Sequence, residues 1–173
     1  MPEQKETWIQ LVALTATVLA VLAAIAALRA STYSTKAQIA TSQEANRWAY
    51  YQSKSLKEHS YTLNRDLLAA VRLLETKNPK AQKFLNGKIK EYEDEIARYN
   101  KEQDQLKKSA EDLIKEQEGY KLKNGDFVLA VMLLQIAIMC SAVGALIKKK
   151  ILWLLGLILG GWGIYYFVLG FLR

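Results

Sequence analysis

Apolar residues fall into two patterns along this chain. In three stretches, 7–28, 127–147 and 151–172, they run on without a single Asp, Glu, Lys or Arg. Between the first and second stretches they recur every three or four residues among charged neighbours. The first pattern predicts helices that cross a bilayer. About 20 helical residues span the hydrocarbon core, and only a helix satisfies its own backbone there. The second pattern predicts long amphipathic helices.

The periodic region covers residues 30–126. Its second half carries Leu85, Ile89, Tyr92, Ile96, Tyr99, Gln103, Leu106, Ala110, Leu113, Gln117 and Tyr120, spaced by alternating steps of four and three. That is a heptad seam with a charged outer face. In the first half, Leu56, Leu63, Leu67, Ala70 and Leu74 read as the matching seam, with Ser60 as a polar gap. Lys77-Asn78-Pro79 breaks the pattern, as a turn should. The arms on either side, 30–76 and 80–126, have 47 residues each. Equal arms suit a hairpin whose ends return to one membrane surface, and unbroken arms would reach about 70 Å. Asn124-Gly125-Asp126 reads as a helix stop and a fresh N-cap before the second span.

The expected fold is therefore an all-α integral membrane protein with three transmembrane helices. An N-terminal transmembrane helix lies in 1–29. A long antiparallel coiled-coil hairpin fills 30–126, with its turn near 77–79. A transmembrane helical hairpin forms 127–173. Two acids and one Lys precede the first span, which reads as an uncleaved anchor rather than a signal peptide. Trp8 and Trp153 sit at span starts, where an amphipathic ring suits the headgroups.

Charge narrows the function classes. The chain has 24 basic and 17 acidic residues, a formal net charge of +7, yet no span holds an ionisable acid, base or His. This argues against a proton relay, a voltage sensor or a charge-coupled transport site. One His and one Cys cannot build a metal site. There is no glycine-rich phosphate loop and no nucleophile context. No enzyme activity, cofactor or metal is expected. Between 29 and 126, 19 basic residues meet 15 acidic ones, a balance that does not suit nucleic acid.

The remaining candidate residues are contact residues. Gly156, Gly160, Gly163 and Gly170 fall on one stripe of the third span, with Phe167 in its gap. Glycine costs helix stability, so such a stripe predicts close approach by another helix. Ala13, Thr17, Ala20, Ala24 and Ala27 form a similar stripe on the first span. Gln135 is an intramembrane hydrogen-bonding group in the second. Residues 31–46 are Ser, Thr, Ala and Gln with few charges, and they lead into the aromatic cluster Trp48, Tyr50 and Tyr51. That cluster predicts a stalk contact. Lys148, Lys149 and Lys150 fill the short link between the last two spans. Short basic loops stay cytoplasmic and meet lipid headgroups, which places the hairpin on the non-cytoplasmic side.

Two functions fit these features. One is a homo-oligomeric membrane scaffold or tether of cyclic symmetry, presenting its stalk to a protein partner. The other is a homo-oligomeric channel lined by the first span and its polar extension 31–46.

Several segments also carry a resemblance. They are Tyr33-Ser34-Thr35, Trp48-Ala49-Tyr50-Tyr51-Gln52-Ser53-Lys54-Ser55, Ile89 to Arg98 with Tyr99 and Lys101, and Leu134-Gln135-Ile136-Ala137-Ile138 followed by a Lys cluster and a Gly-rich span. Together they resemble the bacterial family called domain of unknown function 4337. The resemblance implies a small multi-pass protein of the bacterial inner membrane. It implies one span, a helical region and two more spans, and brings no catalytic or ligand residues.

Overall fold

The computed structural model describes the backbone of residues 3–74 and 78–173, with side chains from residue 7 onward. Helix α1 runs Glu3–Leu74, α2 runs Pro79–Leu146 and α3 runs Lys150–Leu172. The described residues contain no strand. All three helices are long and apolar enough to cross a membrane.

Local chemistry explains where the helices start, continue and stop. The Thr32 and Thr35 hydroxyls donate to the carbonyls of Leu28 and Ser31 at 2.9 and 3.0 Å. Bonding back to their own turn, these side chains leave α1 intact through its Ser/Thr run. Asn78 caps α2: its Oδ1 accepts from the backbone amides of Lys80 and Ala81 at 3.1 and 3.3 Å. Pro79 follows as the first helical residue, where its missing N–H costs nothing. Lys77, part of the expected turn, lies outside the described residues. The helix stop expected at Asn124-Gly125-Asp126 does not occur, and α2 passes straight through. The Asn124 side chain donates to the Ala30 carbonyl at 2.7 Å instead of capping its own helix. Between α2 and α3, Lys148 takes a φ of 56° and the Lys149 amide donates to the Gly144 carbonyl at 3.0 Å.

The chain divides into two compact units, Met1–Ile39 with Glu116–Arg173, and Ala40–Lys115. In the first, Leu19 and Ala23 of α1 pack with Leu134 and Ala137 of α2. A second cluster joins Ala26, Ala30, Phe127 and Ala130, with Tyr33, Tyr166 and Phe167 against it. The α1 residues of this second cluster are both alanines, and small side chains permit close helix approach.

In the second unit, Tyr61 of α1 meets Tyr92 and Tyr99 of α2, with ring centroids 5.4 and 5.7 Å away. Lys54 pairs with Glu102 at 2.6 Å, and Arg72 donates to the Asn86 side chain at 3.0 Å. On α2, the positions from Leu85 to Leu113 picked out by the heptad spacing are all buried or half-buried. On α1 the expected face is wrong. Leu56, Leu63, Leu67 and Leu74 are exposed at 72, 58, 62 and 86%, and Ala70 is exposed too. The side chains turned inward are Tyr51, Lys54, Glu58, Tyr61, Arg65 and Leu68, each half-buried. Long amphipathic side chains can cover a partner helix with their stems and keep their polar ends wet, so a count of leucines selects the other side.

Candidate functional site

Gly156, Gly160, Gly163 and Gly170 of α3 are buried, whereas Gly161, off the stripe, is exposed. A Cβ on Gly156 would lie 2.7 Å from the Ser141 hydroxyl and 2.8 Å from the Ala137 carbonyl. On Gly163 it would lie 2.8 Å from Leu134 Cγ, and on Gly170 2.9 Å from the Phe127 ring. On Gly160 it would meet Leu19 of α1 at 3.1 Å. The stripe is thus filled within the chain by α2 and, at one position, by α1. Ser141, fully buried opposite Gly156, donates to the Ala137 carbonyl at 2.8 Å.

The small-residue stripe of α1 is placed differently. Ala13, Thr17, Ala20, Ala24 and Ala27 are all exposed. The residues that bury α1 are Val12, Leu19, Ala23, Ala26 and Ala30, on a neighbouring face. Gln135 is also exposed, without a partner among the described residues. Trp153 departs from a plain headgroup anchor, since its indole N–H donates to the Thr15 hydroxyl at 3.2 Å. Thr15 in turn donates to the Val12 carbonyl at 3.0 Å. Lys148, Lys149 and Lys150 are exposed at the α2–α3 link.

Near the polar ends of the spans, the first unit gathers rings and cations. Tyr33 stacks on Phe127 at 5.8 Å and meets Tyr120 at 6.3 Å. Lys36 lies 5.6 Å from both tyrosine rings, and Lys123 lies 5.6 Å from Tyr33. Arg29 sits 5.3 Å over the Phe171 ring. Buried Asp126 accepts from Arg173 through both carboxylate oxygens. The Tyr120 hydroxyl donates to Glu116 at 2.6 Å, and that bond holds the phenol above its ordinary pKa. Cation–ring contacts of this kind suit the membrane boundary, where one side of a group is apolar and the other wet. Spacing alone did not single out this cluster. The signal was the group Arg29, Tyr33 and Lys36 after the first span and Tyr120, Lys121 and Lys123 before the second.

In the second unit the aromatic cluster splits. Trp48 and Tyr51 are half-buried and meet edge to face at 5.5 Å. The Trp48 indole donates to Glu44 at 3.3 Å. Tyr50 points away and is 59% exposed. It borders an open groove of about 450 Å³ with Arg47, Lys54, Glu102, Gln105, Leu106 and Ser109. The hydrogen bond from Lys54 holds the Glu102 carboxyl below its ordinary pKa. Gln103, in the buried row of α2, has a buried amide nitrogen with no partner.

No three His, Cys, Asp or Glu side chains gather to hold a metal among the described residues. His59 is exposed and Cys140 half-buried. What the arrangement offers is packing surface, cations beside the membrane-capable segments and exposed aromatic and apolar faces.

Comparison with curated proteins and with solved structures gives no match. A family model does match, over residues 8–173 and so nearly the full length. The chain belongs to the family described as domain of unknown function DUF4337.

Proposed function

We propose that this protein is a homo-oligomeric membrane scaffold or tether, anchored by three spans and presenting a coiled-coil hairpin built from α1 and α2. The observation that carries this reading is helix continuity. α1 and α2 each pass from a membrane-capable segment into a charged one without a break, over 72 and 68 residues. Each of these helices thus carries both an apolar anchor and a charged segment. The order of contacts supports an antiparallel pair: Lys54 with Glu102, Tyr61 with Tyr99 and Tyr92, Arg72 with Asn86.

Uncovered surface supports self-association. With the glycine stripe used inside the chain, the first span still exposes Ala13, Thr17, Ala20, Ala24 and Ala27. Small residues on a membrane helix allow close backbone approach, and an exposed intramembrane Gln135 adds a hydrogen-bonding group. Repeated head-to-tail contacts between identical subunits close into rings, so cyclic symmetry is the expected arrangement. Tyr50 and its groove are the surface offered to a protein partner. The lysine link, Lys148 to Lys150, stays cytoplasmic at the headgroups of the inner membrane and leaves the hairpin outside.

Native mass spectrometry from mild detergent tests the assembly: one dominant multimer is expected, and monomer alone in several detergents would overturn it. A Lys83→Cys variant in a Cys140→Ser background tests topology. An impermeant maleimide should label intact cells. Labelling only after lysis would reverse the orientation.

A channel is the second reading. Thr32, Thr35, Ser42 and Asn46, all in the polar extension 31–46, are exposed and uncharged. Such side chains suit the wall of an aqueous lumen. Ion flux through the purified protein in liposomes would favour the channel, and its absence the scaffold.

A further inference from the structure

The exposed leucines of α1 lie in the charged unit, where apolar side chains have a polar alternative at every turn of the helix. Leu56, Leu63, Leu67 and Leu74 follow heptad steps, with Ser60 and Ala70 completing the alternation of four and three. All six are exposed. They lie on the side of α1 opposite the Glu58 and Arg65 positions that turn inward. Followed backward in the sequence, the same alternation continues without a slip to Leu11. It takes in 19 positions, none of them charged and every one exposed.

We infer that this leucine face of α1 is the docking site for α1 of a second copy of the chain, parallel and in register. The inference rests on the homo-oligomer reading above and names its contact. Three observations favour a second copy as the occupant. First, a 3.5-residue period is the spacing that another helix, rather than an irregular surface, matches. Second, copies inserted in one bilayer share an orientation, so each residue of α1 meets its own counterpart at the same level. A face that meets itself cannot carry charge, because like would oppose like. Between 42 and 74, α1 has eight charged residues, Glu44 through Arg72, and none is on this face. Third, the flanking positions that approach across a parallel pair are Gln52 with Lys57, His59 with Asn64, and Asp66 with Val71, so no like charges are opposed there either. Asn46 is the one amide on the same row between 42 and 74, the kind of group that fixes register in such a seam.

Cysteine cross-linking of the full chain in native membranes tests this. In a Cys140→Ser background, Leu56→Cys, Leu63→Cys and Leu67→Cys are made singly and oxidised with copper phenanthroline. Exposed Glu93→Cys and Lys107→Cys on α2 serve as collision controls. A disulfide forms only when the Cα atoms come within about 7 Å, so the leucine positions should give several-fold more reducible dimer than the controls. Native mass spectrometry of the Cys140→Ser parent runs alongside. A multimeric parent with no excess cross-linking at the three leucines overturns the docking face while leaving the oligomer standing; a foreign helix on this face would give that result. A monomeric parent overturns the oligomer reading, and the face falls with it. A further variant, Leu63→Asp with Leu67→Asp, should convert the multimer to smaller species. Retention of the full multimer by a folded double variant also overturns the proposal.

Discussion

The Arg173 guanidinium donates to both carboxylate oxygens of Asp126, at 3.2 and 3.0 Å, joining the residue after α3 to the first turn of the apolar part of α2. Asp126 is only 5% exposed, whereas the arginine side chain is about half-exposed. A buried carboxylate left alone costs more than the pair contributes. Arg173→Ala should therefore lower stability by about 2 kcal/mol, and the double variant Arg173→Ala with Asp126→Asn by clearly less than the sum of the two. Helix melting followed by circular dichroism in detergent, for the three variants, checks this. Strict additivity would mean the pair is uncoupled.

The glycines of α3 provide a matched comparison. Gly163→Ala would place a Cβ 2.8 Å from Leu134 Cγ, while Gly161→Ala meets nothing within 4 Å. The first should cost about 1–3 kcal/mol through overpacking. The second should be neutral or gain up to about 1 kcal/mol, because alanine is the better helix former. Unfolding titrations in mixed micelles would separate them, and equal effects would remove the packing role from the stripe.

Asn78 accounts for the start of α2 through two backbone amides. Asn78→Ala should cost about 1 kcal/mol. Hydrogen exchange at the amides of Lys80 and Ala81 should quicken, while exchange around Tyr99 stays unchanged.

Lys148 sits in the left-handed region at the end of α2, where a side chain carries a penalty of about 1–2 kcal/mol. Lys148→Gly should raise the melting temperature, since glycine is the usual residue after a helix C-terminus. A drop would mean the lysine ammonium contributes more to the fold than its backbone costs.

Glu102 links the second unit to acid. The bond from Lys54 depresses its pKa, so its contribution is fully present above the ordinary carboxylate range and is lost as pH falls through the lowered value. Glu102→Gln should melt slightly earlier than wild type at neutral pH and together with it in strong acid. The pair is partly exposed, so the difference should shrink with added salt. A difference that persists in acid would assign the effect to packing.

Much of the architecture is legible because membrane helices and solvated helices obey different charge rules. The three membrane-capable segments stand out as uncharged runs, and the four striped glycines of α3 stand out because close approach is what rewards them. The inward row of α2 follows from its heptad spacing, since Leu85, Ile89, Tyr99 and Ala110 are both apolar and buried. The inward face of α1 was not legible. Tyr61, Lys54 and Arg65 pack through parts of amphipathic side chains, which a scale that scores whole residues counts as polar. Nor was the fate of Asn124 legible. A residue that usually ends helices finds its partner 94 positions away, at Ala30, and only tertiary structure reveals it.

That long separation bears on how the protein is made. α3 meets α2 across a link of a few residues, so the two can close as soon as both are in the bilayer. The first span has no such neighbour. Its contacts, Thr15 with Trp153 and Ala30 with Asn124, wait for some hundred further residues to be synthesised. Until then it has no partner span from its own chain. Thr15 and Thr17 are suited to that interval, because their hydroxyls bond to carbonyls of the same helix, Val12 and Ala13. Insertion can therefore come first and docking last, with Trp153 arriving at a threonine that has been waiting for it since the first turns entered the membrane.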